Sequence, residues 1–159
     1  MPTYERSVRV AAPLDDAWDF HARVEGLEAL TPPWLGLRVE AITGPDGTPD
    51  PDELVSGTDI ELSMRPAGVG PRVAWTSRIL AREHQGGSAY FVDEMVDGPF
   101  PTWEHTHSFF GDGDETLVRD RVVYELPLGG LGRALGPLGW VGFEPMFRYR
   151  HRRTRELLE

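Results

Sequence analysis

The segment Thr102–Leu126, TWEHTHSFFGDGDETLVRDRVVYEL, carries the clearest local pattern in the chain. It reads as two strands, about 102–110 and 116–126, joined by a Gly- and Asp-rich turn over Gly111–Thr116. With Phe110 opposite Leu117, one face pairs Phe109 with Val118, His107 with Asp120, His105 with Val122 and Trp103 with Tyr124. The other face then holds Glu104, Thr106, Ser108, Arg119, Arg121 and Glu125, a set that belongs in water. A slip of one residue would mix arginines with aromatics on one side, so the pattern selects this register over its neighbour.

Working outward, the segments 57–65, 71–84 and 88–96 are strand-like and bounded by Gly or Pro, and Thr3–Ala11 reads as a first strand. Pro13, Asp15 and Asp16 open a short helix with Ala17, Trp18, Phe20 and His21 on its buried stripe. A second helical turn covers Gly26–Leu30, and Thr31-Pro32-Pro33 stops it. A strand is then expected from Trp34 to Gly44, followed by a solvated loop over Pro45–Glu53. Residues 127–143 are so rich in Gly that a long continuous helix is not expected there. Regular helix should return after Glu144, with Pro145 in its first turn and Phe143, Phe147, Thr154 and Leu157 inward. The order is strand, two short helices, six strands, helix: an α+β fold of one domain over 1–159, a seven-stranded antiparallel sheet packed on the C-terminal helix.

Composition narrows the functional classes. The net charge of -10 disfavours nucleic acid and anionic membrane, which attract basic surfaces, and points to small-molecule partners. All 16 basic residues are Arg, an acidic, Lys-free balance that salt adaptation or an Arg-favouring genome would each produce. Zero cysteines exclude disulfides, thiolate metal sites and a Cys nucleophile. Met1–Val10 lacks the apolar run of a signal peptide and no segment suits membrane insertion, so a cytoplasmic location is expected. Oligomeric state is not readable.

The hairpin's inner face carries the chemistry. His105, His107 and Asp120 lie among large apolar groups, and an unpartnered neutral polar group there costs about 2–7 kcal/mol. His107 and Asp120 can satisfy each other. If the preceding strand turns Phe91, Asp93 and Met95 inward, Asp93 lands near His105; the opposite parity, with Tyr90, Val92 and Val96 inward, is also chemically reasonable. Three readings fit the cluster: a closed network fixing strand register, a polar pole orienting a ligand, or acid–base catalysis with His107, His105 and Asp120 as candidates. His105 and His107, two apart on a strand, share a face, but no third ligand is assured, so neither metal nor cofactor is expected. Arg150 either extends into the cavity toward Asp93, Asp120 or an acidic ligand, or snorkels to water at its rim. The neighbouring Arg148, Arg152, Arg153 and Arg155 complement surface carboxylates and the helix C-terminus.

Phe91, Asp93, Gly98, Pro99, Phe100, Trp103, His105, His107, Phe109, Asp120, Tyr124 and Pro127 together resemble a prokaryotic branch of the START-like superfamily, also called SRPBCC or polyketide cyclase/dehydrase-like. The resemblance extends to Leu30-Thr31-Pro32-Pro33 and to Phe147, Tyr149 and Arg150. It implies a helix-grip fold with a deep cavity, used by relatives for sterols, lipids, polyketides and plant hormones. It implies a hydrophobic small-molecule ligand walled by Phe91, Trp103, Tyr124 and Phe147, with Asp93, Met95, His105, His107, Phe109, Asp120 and Arg150 completing the site. Relatives also include cyclase/dehydratase enzymes and chaperone-activator interaction modules. Two departures bear on the cavity: Met95 stands where relatives carry Gln, and the segment 129–142 is richer in Gly.

Overall fold

The computed structural model describes all residues, 1–159. Seven strands form one antiparallel sheet: β1 Thr3–Val10, β2 Arg38–Thr43, β3 Asp59–Met64, β4 Val73–Gln85, β5 Ser88–Val96, β6 Thr102–Asp112 and β7 Glu115–Glu125. Their order is β1-β7-β6-β5-β4-β3-β2, which leaves the first two strands on opposite edges. The chain between them, α1 Leu14–His21 and α2 Val24–Leu30, must therefore cross from one edge to the other. α3 Gly129–Leu135 and α4 Trp140–Leu158 complete the helix-grip arrangement.

The β6–β7 register is the expected one, with Phe110 opposite Leu117 and His107 opposite Asp120. Both strands run further into the turn than expected, to Asp112 and Glu115, leaving a two-residue connection in which Gly113 has a left-handed φ of +61°. Across β5, Phe91 faces His107 and Asp93 faces His105. Register shifts between Ile79 and Ala81 of β4 and between Val39 and Ala41 of β2 bend the strands out of a flat layer.

Two apolar clusters hold the layers together. At one end Val10, Leu14, Ala17, Trp18, Phe109 and Val118 bury α1 against the sheet. At the other, Tyr4, Val122 and Tyr124 meet Phe143 and Phe147 of α4. The polar cluster around Asp120 lies between Val118 and Val122 on β7, and so between the two.

Three expectations need correction. Strand β2 starts at Arg38, because Pro33–Leu35 form a 3-10 turn closed by Gly36 in the left-handed region. The last helix starts at Trp140, with Pro145 inside it, and α3 forms within the Gly-rich stretch. The inner face of α4 is Phe143, Phe147, His151 and Thr154, while Leu157 is exposed. No helix is long and apolar enough to cross a membrane.

Candidate functional site: a cavity with one polar pole

A cavity of about 290 Å³ lies between the sheet and the helices. Of its 27 lining residues 17 are hydrophobic, so polar character is confined to a few positions. β3 contributes Ile60, Leu62 and Met64, β4 Trp75, Ser77 and Ile79, α2 Leu27 and Leu30, and α4 Phe143, Met146, Phe147 and Arg150. β5 and β6 supply alternate residues, Phe91, Asp93, Met95 and then Trp103, His105, His107, because side chains on a strand alternate faces. The parity that turns Asp93 inward is thus the one adopted.

The polar pole is a linked set of side chains. His107 Nε2 lies 2.7 Å from Asp93 Oδ2, and Ser77 Oγ donates to Asp93 Oδ1 at 3.3 Å. His105 Nε2 lies 2.7 Å from Asp120 Oδ1 and His151 Nε2 2.5 Å from Asp120 Oδ2. His107 Nδ1 approaches Asp120 Oδ1 at 3.4 Å but outside hydrogen-bond geometry, and stays without a partner. Arg150 Nε is 3.8 Å from the same oxygen, with its side chain 11% exposed, so it reaches inward and lines the cavity. Aromatic packing fixes the rings: Phe91 stacks on His107 at 3.9 Å, His107 on His105 at 3.6 Å, and Phe147 meets His105 edge-on.

The electrostatics follow from this geometry. Burial alone would raise the Asp120 carboxyl, but hydrogen bonds from His105 and His151, the close His107 ring and the Arg150 charge hold it well below the usual range. Asp93 is lowered in the same way, burial being outweighed by His107, His105 and Arg150. For His107, burial disfavours the cation, yet the two carboxylates win and its pKa is raised. For His105, burial and the neighbouring His107 charge win over Asp120, and its pKa falls to about 4. Adjacent imidazoles are thus pushed apart, one toward the cation and one toward the neutral base.

Of the expected site residues, Phe91, Asp93, Met95, Trp103, His105, His107, Phe147 and Arg150 line the cavity. Three expected contacts are corrected. Phe109 is fully buried in the α1 cluster, because its strand position lies beyond His107 toward Trp18. Tyr124 is no wall: it is buried under the turn between α3 and α4, and its hydroxyl donates to the Gly136 carbonyl at 2.6 Å. Asp120 lies behind the histidines and off the cavity surface. The expected partners are exchanged as well, since His107 bonds Asp93 and His105 bonds Asp120.

Two histidines were missed as members of the site. His21 ends α1 with Nδ1 2.8 Å from the Ala17 carbonyl and lines the cavity. His151 is buried four residues after Phe147 and eight after Phe143, a helical spacing that was available to be read.

The model of the family described as polyketide cyclase / dehydrase and lipid transport matches residues 10–146. No curated protein matches the sequence. Among solved structures, TTHA0849 from Thermus thermophilus is 19% identical, with a TM-score of 0.64 over 99% of this chain and 100% of that one. A START superfamily protein from Mycobacterium smegmatis is 18% identical, with a TM-score of 0.63 over 98% of each chain. Norcoclaurine synthase from Thalictrum flavum is 17% identical, with a TM-score of 0.65 over 99% of this chain and 87% of that one. At such identities the structural likeness speaks for the fold alone, whereas the family match spans most of the sequence: the chain belongs to the polyketide cyclase / dehydrase and lipid transport family.

Proposed function

We propose that this protein is a cytosolic binder of a compact, largely apolar small molecule, held in the cavity with its one polar group against Asp93, His105 and His107. The observation that carries this reading is the distribution of lining chemistry: apolar walls from β3 to β6, α2 and α4, and one polar pole where His107 bonds Asp93. The volume of about 290 Å³ lies near the lower end of the roughly 300–1,000 Å³ of small-molecule pockets, which favours a one- or two-ring compound over a sterol. Protein purified from native extract, denatured and examined by mass spectrometry should release a stoichiometric hydrophobic compound. Widening the cavity by Phe147→Ala or Trp103→Ala should change which compounds are retained. Empty protein whose melting temperature ignores a library of aromatic and polyketide-like compounds would refute the reading.

A second reading is supported by His105. Its Nε2 is committed to Asp120, which leaves Nδ1 uncommitted on a ring that lines the cavity. A carboxylate-oriented neutral imidazole is the arrangement of a general base, suited to a cyclase or dehydratase step on a bound carbonyl compound. His105→Gln should then lower turnover by about 10²–10⁴-fold while changing ligand affinity little. Equal loss of affinity and turnover would reduce His105 to a binding contact.

A further inference from the structure

We propose that the polar pole is a binding site for one divalent transition-metal ion of the zinc(II), cobalt(II) or iron(II) class, ligated by Asp93, His105 and His107. One donor atom from each of these residues lies within 4.8 Å of the others, a spread that small side-chain rotations close to the roughly 2.0–2.2 Å metal–ligand distances of such ions. The donors sit on adjacent strands in fixed register, Asp93 directly opposite His105 and His107 two residues on, so the backbone presets their spacing.

The surroundings match what imidazole ligands need. A metal-bound histidine commonly gives its other ring nitrogen to a carboxylate, which fixes tautomer and orientation. Here both histidines turn a ring nitrogen toward the same Asp120, His105 Nε2 at 2.7 Å and His107 Nδ1 at 3.4 Å. The His107 Nδ1 is buried without a hydrogen-bond partner. Coordination through Nε2 places the proton on Nδ1, where a small ring rotation lets it donate to Asp120. His151 and Arg150 anchor that carboxylate from behind. Two imidazoles and one carboxylate suit zinc-like ions, whereas magnesium and calcium demand oxygen ligands. The remaining coordination positions open into the cavity, where water or a ligand oxygen would complete the shell. On sequence alone two histidines lacked a third ligand, and the inward parity of β5 supplies it.

The site stands on three side chains and needs no organic ligand. Titration of chelator-stripped protein with Co²⁺, followed by visible absorption, and with Zn²⁺, followed by calorimetry, tests it. One equivalent should bind, Zn²⁺ should displace Co²⁺, and Mg²⁺ should compete with neither. Asp93→Asn and His107→Gln should each weaken Zn²⁺ binding by about 100-fold or more, and Asp120→Asn by about 10–100-fold. His84→Gln, at a half-exposed histidine near Asp15, should leave the affinity unchanged. Should a variant fail to fold by circular dichroism, Co²⁺-shifted imidazole resonances of wild-type protein give the same answer. Absence of saturable binding, unshifted His105 and His107 rings, or full affinity in the folded Asp93→Asn/His107→Gln double variant would overturn the proposal. A metal-free result alongside a released organic compound would leave the ligand reading intact, and the reverse result would leave the metal site intact.

Discussion

At the scale of single residues, Asp120 organises the site without touching the cavity. It accepts from His105 and His151 and faces Arg150, so its removal strands three buried polar groups at once. Asp120→Asn keeps the volume but replaces one acceptor with a donor; about 3–5 kcal/mol of stability should be lost in urea unfolding. A loss under roughly 1 kcal/mol would mean that the network is not stabilising. His21 gives a prediction in pH. Burial and the nearby Arg150 charge lower its pKa to about 3, against about 6.5 in the unfolded chain. The unfolded state therefore takes up a proton below about pH 6.5 that the folded state refuses until about pH 3. Stability should fall with pH across that window, by about 1.4 kcal/mol per pH unit for one group. His21→Leu should flatten the slope of urea stability against pH by that amount, and an unchanged slope would exonerate His21. The sequence disclosed that His105, His107 and Asp120 share a face, because strand alternation is strict. It did not disclose who bonds whom, since a long imidazole reaches the diagonal neighbour as readily as the opposite one: His105 bypasses Val122 to reach Asp120.

At the scale of elements, glycine accounts for what was missed. Counting glycines as helix breakers delayed the last helix and left no room for α3, yet these residues permit close approach. A Cβ on Gly139 would lie 2.6 Å from the Tyr124 ring, and the Gly136 carbonyl takes the Tyr124 hydroxyl bond. The turn between α3 and α4 is laid down on Tyr124 at Gly136 and Gly139, a tertiary contact that helix propensity does not contain. Gly139→Ala should cost about 1–3 kcal/mol through overpacking, measurable by thermal or urea unfolding; a neutral effect would show that Tyr124 can move aside. On α4 the face assignment makes a paired prediction. Phe147, 1% exposed, should lose about 3–5 kcal/mol on replacement by Ala. Leu157, 43% exposed, should lose no more than about 0.5 kcal/mol. The register of the β6–β7 hairpin, in contrast, was legible, because two-sided polarity and a Gly-Asp turn specify it locally.

At the scale of the whole molecule, the order of strands and helices was readable from punctuation by Gly and Pro, and the family resemblance supplied the grip of sheet on helix. The curvature that opens the cavity was not, for the irregularities at Ile79–Ala81 and Val39–Ala41 leave no mark in the hydrophobic pattern. Charge acts at this same scale. The net charge of -10 would leave carboxylates in excess even with every arginine paired, and many of the ion pairs are half-exposed, as between Arg9 and Glu115 or Arg152 and Glu156. Exposed pairs of this kind contribute little, about 0–1 kcal/mol each, whereas self-repulsion is collective and favours expansion. Salt shortens the range of both, the screening length falling from about 10 Å at 0.1 M to about 3 Å at 1 M. Because repulsion dominates in a chain so unbalanced, the melting temperature at pH 7 should rise from low to molar sodium chloride. Near pH 5, close to the isoelectric point of about 4.9, net charge vanishes and the same salt step should produce a much smaller rise. A melting temperature that falls with salt at pH 7 would show that the arginine–carboxylate pairs outweigh the repulsion. An equal rise at both pH values would assign the gain to salting-out of apolar surface instead.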